Sequence, residues 1–257
     1  MIYLVICTTA FLASGLTFFS GFGLGTLLLP AFAVFFPVEL AVAMTAVVHF
    51  ANGLFKVVLV GRHAAKAVVL RFGLPAMVAA FGGAWTLGVL ADLPPWFDYE
   101  LAGRTVVVTP VKFVIGLLLV AFALIESLPA LREKSFDARW LPFGGMLSGF
   151  FGGLSGNQGA LRSAFLVRAG LSKEAFIGSG VVIACLIDLS RLGLYSRQWM
   201  RAQEPFDYGL LGVAMAAAFV GALIGNRYLK KLTMRGLQRL VGAMLFLVGI
   251  GLAGGIL

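Results

Sequence analysis

Two glycine-rich interruptions inside apolar sequence restrict this chain more than any other feature. The first runs from Ser14-Gly15 to Ser20-Gly21-Phe22-Gly23-Leu24-Gly25, the second from Ser148-Gly149 to Ser155-Gly156-Asn157-Gln158-Gly159. An uninterrupted apolar run satisfies its backbone as a helix and can cross a bilayer unaided. Glycine and serine clusters at mid-membrane length break that helix, and broken backbone at such depth is tolerated only where it lines protein or a water-filled cavity.

The apolar character extends over the whole chain. Of 257 residues, 60% are hydrophobic and 12% charged, and the mean hydropathy is +0.99. These values exclude an ordinary soluble domain and imply a polytopic protein in contact with the lipid bilayer. Apolar sequence begins at once after Met1, without a preceding Lys or Arg, so the start reads as a membrane segment and not a removable leader. The net charge of +9 resides in short loops between apolar segments, where it marks topology and gives no reason to expect nucleic acid. Cys7 and Cys185 lie within apolar stretches, without CxxC spacing or a histidine cluster, and read as packing residues. Nothing calls for a cofactor or a metal.

Apolar segments fall at 2–19, 24–36, 38–60, 72–91, 110–128, 141–154, 159–168, 173–195, 207–226 and 238–257. A helix needs about 20 residues to cross a hydrocarbon core of about 30 Å. The short pieces beside the breaks therefore predict half-helices or re-entrant hairpins. The halves also match when displaced by about 135 positions, Ser14-Gly15 falling on Ser148-Gly149, Gly25 on Gly159 and Thr45 on Ser179. Basic loops at Arg62–Arg71, Arg132–Arg139 and Arg227–Arg239 read as cytoplasmic, while Asp92–Arg104 reads as outside. Because the repeat equates that outside loop with the basic loop at 227–239, the halves are expected to be inverted. The expected fold is an all-α polytopic membrane protein of two inverted repeats with about five segments each, residues 1–128 and 141–257, joined by a cytoplasmic linker at 129–140. Both termini then lie outside, as does a loop from Ser196 to Asp207; parallel four-helix repeats are the alternative.

A matched pair of breaks in two halves is the sequence pattern of a transport site. Around the second break cluster Ser155, Gly156, Asn157, Gln158, Gly159, Arg162 and Ser163. A central cation costs about 2.5–3.5 kcal/mol to insert, so Arg162 faces a cavity or a partner. Its guanidinium suits a sulfonate, sulfite or carboxylate through paired hydrogen bonds; a snorkelling or structurally paired arginine is the alternative. A half-helix starting near Gln158 points free N–H groups and its positive dipole end into the break, which favours an anion. The first break offers Ser20, Gly21, Gly23, Gly25 and Thr26, hydroxyls and backbone without charge, and its small residues equally suit close helix packing. On 38–60, His49, Asn52 and Lys56 share one face. His49 suits a proton carrier or a buried hydrogen-bonded histidine, and Lys56 is placed near the cytoplasmic end, where lysines snorkel. Asp188, Arg191 and Tyr195 repeat that spacing, and Asp188 with Arg191 reads as a structural or gating ion pair beside Lys56.

With a Gly-rich break in each half, the second reading Ser148-Gly149-Phe150-Phe151-Gly152-Gly153-Leu154-Ser155-Gly156-Asn157-Gln158-Gly159, the chain resembles the TauE/SafE sulfite exporter family of bacterial membrane transporters over nearly its whole length. That resemblance implies a multi-pass permease of the plasma (inner) membrane for sulfite, a sulfonate or a related organic anion. Arg162 departs from the further small residues expected after Gly159. The expectation is a secondary transporter, in the export direction, working by alternating access at the two breaks and not an enzyme. A coupling proton and self-association as a homo-oligomer are left open, and no Walker sequence signals ATP drive. Two other classes remain. Gly153-Leu154-Ser155-Gly156 matches the Gly-x-Ser-Gly element of rhomboid-type intramembrane serine proteases, with Ser155 as nucleophile and His49 as base, although no histidine follows Ser155. A nontransporting membrane scaffold is the third.

Overall fold

Apolar periodicity, punctuated by glycine and proline, builds ten helices among the described residues, which in this computed structural model are 1–16, 24–128, 135–201, 207–228 and 234–257. Five helices lie in the first half: α1 (Ile2–Leu16), α2 (Leu24–Ala33), α3 (Val38–Val60), α4 (Leu74–Ala91) and α5 (Pro110–Ser127). A helical turn at Lys66–Val68 and a π-helical turn at Val69–Gly73 lead into α4. Five follow in the second: α6 (Leu141–Ser155), α7 (Gly159–Leu166), α8 (Lys173–Arg201), α9 (Tyr208–Tyr228) and α10 (Met234–Ala253). Local chemistry sets their ends. Pro75, Pro110 and Pro142 sit in the first turns of α4, α5 and α6, where a missing N–H costs nothing. The Thr109 hydroxyl caps α5 by accepting from the Lys112 N–H at 3.3 Å.

Four helical stretches, Val38–His63, Lys66–Ala91, Lys173–Ser196 and Tyr208–Gly225, are long and apolar enough to cross a membrane. Their flanks present large apolar side chains outward, Phe81 and Trp85 on α4 and Leu189 on α8 among them, as a lipid-facing surface requires. By contrast α2 is buried at every residue, so protein and not lipid surrounds it.

Glycines bring backbones together. Along α6, Gly145, Gly149 and Gly153 recur every fourth position, and a Cβ on each would fall 2.2, 2.0 and 2.1 Å from the carbonyl oxygens of Phe72, Ala76 and Ala80. The same device joins α1 to α9, where a Cβ on Gly221 or Gly225 would meet the carbonyls of Phe11 and Gly15 at 2.1 and 2.5 Å. Residue numbers rise together across both contacts, so these pairs run parallel. The third helix of each half meets its counterpart in the opposite sense, with His49 against Asp188 and Gly178 against Val60. So do the fifth helices, with Gly116 against Gly249 and Gly242 against Ser127. Corresponding helices that run antiparallel are the relation an inverted repeat requires.

The second break folds back on itself. A Cβ on Gly152 would lie 3.0 Å from Gln158 Cβ, and one on Gly144 would lie 2.3 Å from the Phe165 ring. The Phe136 N–H donates to the Ala164 carbonyl at 3.1 Å, and its ring stacks on Phe165 at 4.4 Å. Hence α7 returns alongside α6 to the end where α6 began, as a re-entrant hairpin.

Three expectations are corrected. Within the expected outside loop, β1 (Phe97–Leu101) and β2 (Arg104–Val108) pair as an antiparallel hairpin, turned by Ala102 and Gly103 at φ 53° and 74°. Alternation in Phe97-Asp98-Tyr99-Glu100-Leu101 before Ala-Gly is the signal, and Tyr99 anchors the hairpin by donating to the Gly254 carbonyl at 2.6 Å. The expected loop from Ser196 is instead the end of α8, which continues to Arg201 because no Pro or Gly interrupts it. Lys56 does not snorkel; it is buried. Outside the spans, Asp207 caps α9 by accepting from the Leu210 N–H at 2.8 Å and clasps α1 through the Tyr3 hydroxyl at 2.9 Å. Those donors hold its carboxyl below the usual carboxylate range, so the clasp loosens only as pH falls through that lowered value.

Gly149→Leu is expected to destabilise the protein by about 3 kcal/mol, lowering its melting temperature in detergent. Gly82→Leu is the control, since nothing lies within 4 Å of a Cβ built there, and it should leave the melting temperature nearly unchanged.

Candidate functional site

The two breaks meet. A Cβ on Gly25, in the first turn of α2, would lie 3.2 Å from the Gly156 carbonyl oxygen, 3.5 Å from Thr45 Cγ2 and 3.8 Å from His49 Cδ2. Thr26 is buried beside it. Ser20, Gly21 and Gly23 lie outside the described residues. Opposite, α6 ends on Gly156 at φ 78°, a left-handed conformation that glycine adopts without strain. Gly159 then opens α7, whose first turn closes with the Arg162 N–H on the Gln158 carbonyl at 3.0 Å. First-turn N–H groups of α2 and α7 lack intrahelical partners and carry the positive ends of the helix dipoles.

A polar face of α3 backs this contact. Thr45, His49, Asn52 and Lys56 are all buried and follow helical spacing. Asn52 Oδ1 accepts from Ser14 Oγ at 2.9 Å, and Lys56 Nζ donates to the Ser14 carbonyl at 3.4 Å. Thus the Lys56 ammonium sits near the C-terminal carbonyls of α1, which attract a cation. On α8 the counterpart is Arg191. Its Nε and Nη2 donate to Asp188 Oδ1 at 3.0 and 2.7 Å, and Nη1 donates to the Gly152 carbonyl at 3.0 Å. The Tyr195 hydroxyl donates to the neighbouring Gly153 carbonyl. In both halves, then, a cation on the third helix reaches the carbonyls near the end of the first.

Asp188 links the halves. Its Oδ2 lies 2.6 Å from His49 Nδ1. An ionised carboxylate only accepts, so His49 Nδ1 is the donor of this bond. Gln158 Nε2 donates to Asp188 Oδ1 at 3.4 Å, and Gln158 Oε1 accepts from Arg162 Nη1 at 3.1 Å. One hydrogen-bonded chain therefore runs from α3 through α8 to the second break and α7. Lys56, Arg162 and Arg191 are buried, as is the carboxylate of Asp188, which Arg191 contacts directly and Arg162 reaches through Gln158.

Other serines are used internally. Ser148 Oγ donates to the Gln158 carbonyl at 3.0 Å, and Ser155 Oγ donates to the Phe151 carbonyl at 3.0 Å while accepting from the Asn157 N–H at 3.4 Å. Ser155 thus shapes the break, and the described hydrogen bonds tie it to backbone while His49 pairs with Asp188, so they form no Ser/His dyad. Ser163 is half-buried, one position beyond Arg162. Sequence reasoning left out Thr45, Ser14 and Tyr195 as site residues. Thr45 and Tyr195 lie one turn from His49 and Arg191 on the same faces, which is the signal that finds them. Ser14 carried no such signal, because its carbonyl matters as much as its hydroxyl.

The family model described as sulfite exporter TauE/SafE matches residues 6–252 of the chain. No curated protein matches it.

Asp188→Ala is expected to cost about 3–5 kcal/mol, because it leaves Arg191 buried without its counter-charge. Adding Arg191→Met should recover part of that loss. Thermal unfolding of the single and double variants in detergent measures both.

Proposed function

The chain belongs to the sulfite exporter TauE/SafE family, and from that premise we propose that it is a secondary transporter that exports a small sulfur-containing or organic anion, such as sulfite or a sulfonate, by alternating access where its two breaks meet. The family is one of membrane transporters, and several helices here suit a bilayer. In this reading the protein lies in a bacterial inner membrane with both termini outside, and residues 1–128 and 141–257 are the repeats, joined at 129–140. The antiparallel course of the corresponding helices supports that division.

One observation carries the reading: a buried guanidinium, Arg162, stands in the first turns of α7 and is tied through Gln158 to the second break where it meets the first. A scaffold has no use for charge that is costly to bury, whereas an anion binding there offsets the cost. Arg162 and the first turns of α2 and α7 bind the anion in this proposal, and Asp188 with Arg191 holds the second break in shape. His49, paired with Asp188 on one ring edge and facing Gly25 with the other, is the group suited to take up a coupling proton. Without coupling, an inside-negative potential alone favours anion exit by about 2.3 kcal/mol per charge per 100 mV.

Purified protein in liposomes should release trapped sulfite above the rate of empty liposomes, and Arg162→Ala should slow that release by about tenfold or more, the worth of a charged hydrogen bond. Flux unchanged in Arg162→Ala removes Arg162 from the site. No flux for any of a panel of sulfite, sulfoacetate, thiosulfate and small carboxylates leaves the scaffold as the better account.

A further inference from the structure

The second break holds a side chain whose hydrogen bonds are not made. Asn157 is 3% exposed, and neither its Nδ2 nor its Oδ1 has a partner. Thr45 is fully buried, and its Oγ1 is equally unmatched. Among the described residues these are the buried side-chain polar atoms without a partner. Folded proteins satisfy such atoms almost everywhere, and a buried exception marks a place that a ligand completes.

Their position fits that reading. Asn157 follows Gly156 in the non-helical part of the break, and the Gly156 carbonyl and the Thr45 methyl both lie against Gly25. Neighbouring groups are engaged elsewhere: Gln158 with Asp188 and Arg162, Ser148 with the Gln158 carbonyl, Asn52 with Ser14. Asn157 and Thr45 thus flank the contact of the breaks, the one next to Gly156 and the other against Gly25, and stand outside the described hydrogen bonds around it.

We propose that Asn157 and Thr45 are the specificity-determining residues of this site, and that they select an oxyanion bearing one hydrogen on oxygen. The proposal rests on the anion-transport reading and narrows its substrate class. Arginine, lysine and helix N-terminal N–H groups only donate, so they accept any oxyanion alike. An asparagine side chain both donates and accepts. A ligand whose oxygens only accept pairs with Nδ2 and leaves Oδ1 buried and unsatisfied, facing lone pairs. A ligand with an O–H satisfies both ends at once, and because both ends are open the conclusion is the same whichever way the amide is turned. The Thr45 hydroxyl likewise accepts as well as donates, so it too pairs with a ligand O–H where a pure donor cannot. Sites built to pair a ligand's hydrogen reject the analogue that lacks it. Singly charged hydrogen sulfite meets the requirement, while sulfate and sulfonates do not.

Methylphosphonate and methanesulfonate separate the alternatives, since at mildly acid pH both are singly charged, tetrahedral and methyl-bearing, and only the former carries an O–H. Methylphosphonate is expected to inhibit sulfite flux in liposomes at about a tenfold lower concentration than methanesulfonate. Asn157→Leu and the isosteric Thr45→Val should each bring that ratio toward one, with the melting temperature of Thr45→Val near wild type. Equal inhibition of the wild type by the two anions overturns the proposal, as does a ratio unchanged in a folded Thr45→Val variant. Thermal-shift binding of the same two anions to detergent-purified protein reads the preference without transport. Absence of sulfite flux therefore counts against the transport reading, and equal thermal shifts count against this one.

Discussion

A single carboxylate organises the centre of this protein. Asp188 is the buried acid among the described residues, and it is shared by His49 of α3, Arg191 of α8 and Gln158 of the second break. A guanidinium held at zero exposure is unstable without a counter-charge, so Arg191 depends on it. Arg191, once neutralised, can spend a remaining N–H on the Gly152 carbonyl, and Tyr195 covers the next one. The Gly153 carbonyl at the end of α6 therefore finds its donor on α8, while the Gly152 carbonyl accepts both from Arg191 and from the Gly156 N–H of its own helix. The break exists because α8 offers those donors at that depth, and they are there because Asp188 makes the charge tolerable.

The two breaks share a plan but not a charge. In each, a long cationic side chain from the third helix reaches a carbonyl near the end of the first, Lys56 to Ser14 and Arg191 to Gly152. Such a cation answers the negative end of a helix dipole. Arg162 adds to this in the second half alone, from the first turns of α7, where the dipole is already positive. Charge and dipole there have the same sign, which an anion would complement. That asymmetry places the stronger electrostatic pull at the second break even though both breaks border the same contact.

Much of this was legible in the sequence because membrane-depth backbone obeys a strict rule. Ten apolar segments became ten helices, and the glycine clusters fell at the junctions α1–α2 and α6–α7. The faces His49–Asn52–Lys56 and Asp188–Arg191–Tyr195 followed from spacing alone. What spacing could not show is how faces on different helices meet. His49 and Asp188 are separated by 139 positions, and their pairing depends on α3 and α8 crossing antiparallel. Lys56 was misplaced because snorkelling is the general habit of lysine near a helix end, whereas here the α1 carbonyls supply a nearer partner than the interface does. The β-hairpin was legible from its Ala102-Gly103 turn and was hidden by reading an entire loop from its charge. The end of α8 was misread because the apolar run stops at Tyr195, although nothing in the sequence before Pro205 breaks the helix.

The two halves of the chain are also not the units of packing. The α6–α7 hairpin belongs to the second half but lies backbone to backbone against α4 of the first, through Gly145, Gly149 and Gly153. Reciprocally, α1 of the first half lies against α9 of the second, through Gly221 and Gly225. Contacts with no side chain between them are unforgiving, since a shift of one position would set a side chain against a carbonyl. Each half thus holds the other's break, and pulling the halves apart as read from sequence would have to open both glycine seams at once. The contacts made by side chains, α3 on α8 around Asp188, are softer, because hydrogen bonds between long polar groups can re-form at a different tilt. On the transport reading proposed above, the groups placed to re-form their hydrogen bonds as the site changes are those at the centre of the α3–α8 contact, His49, Asp188 and Gln158.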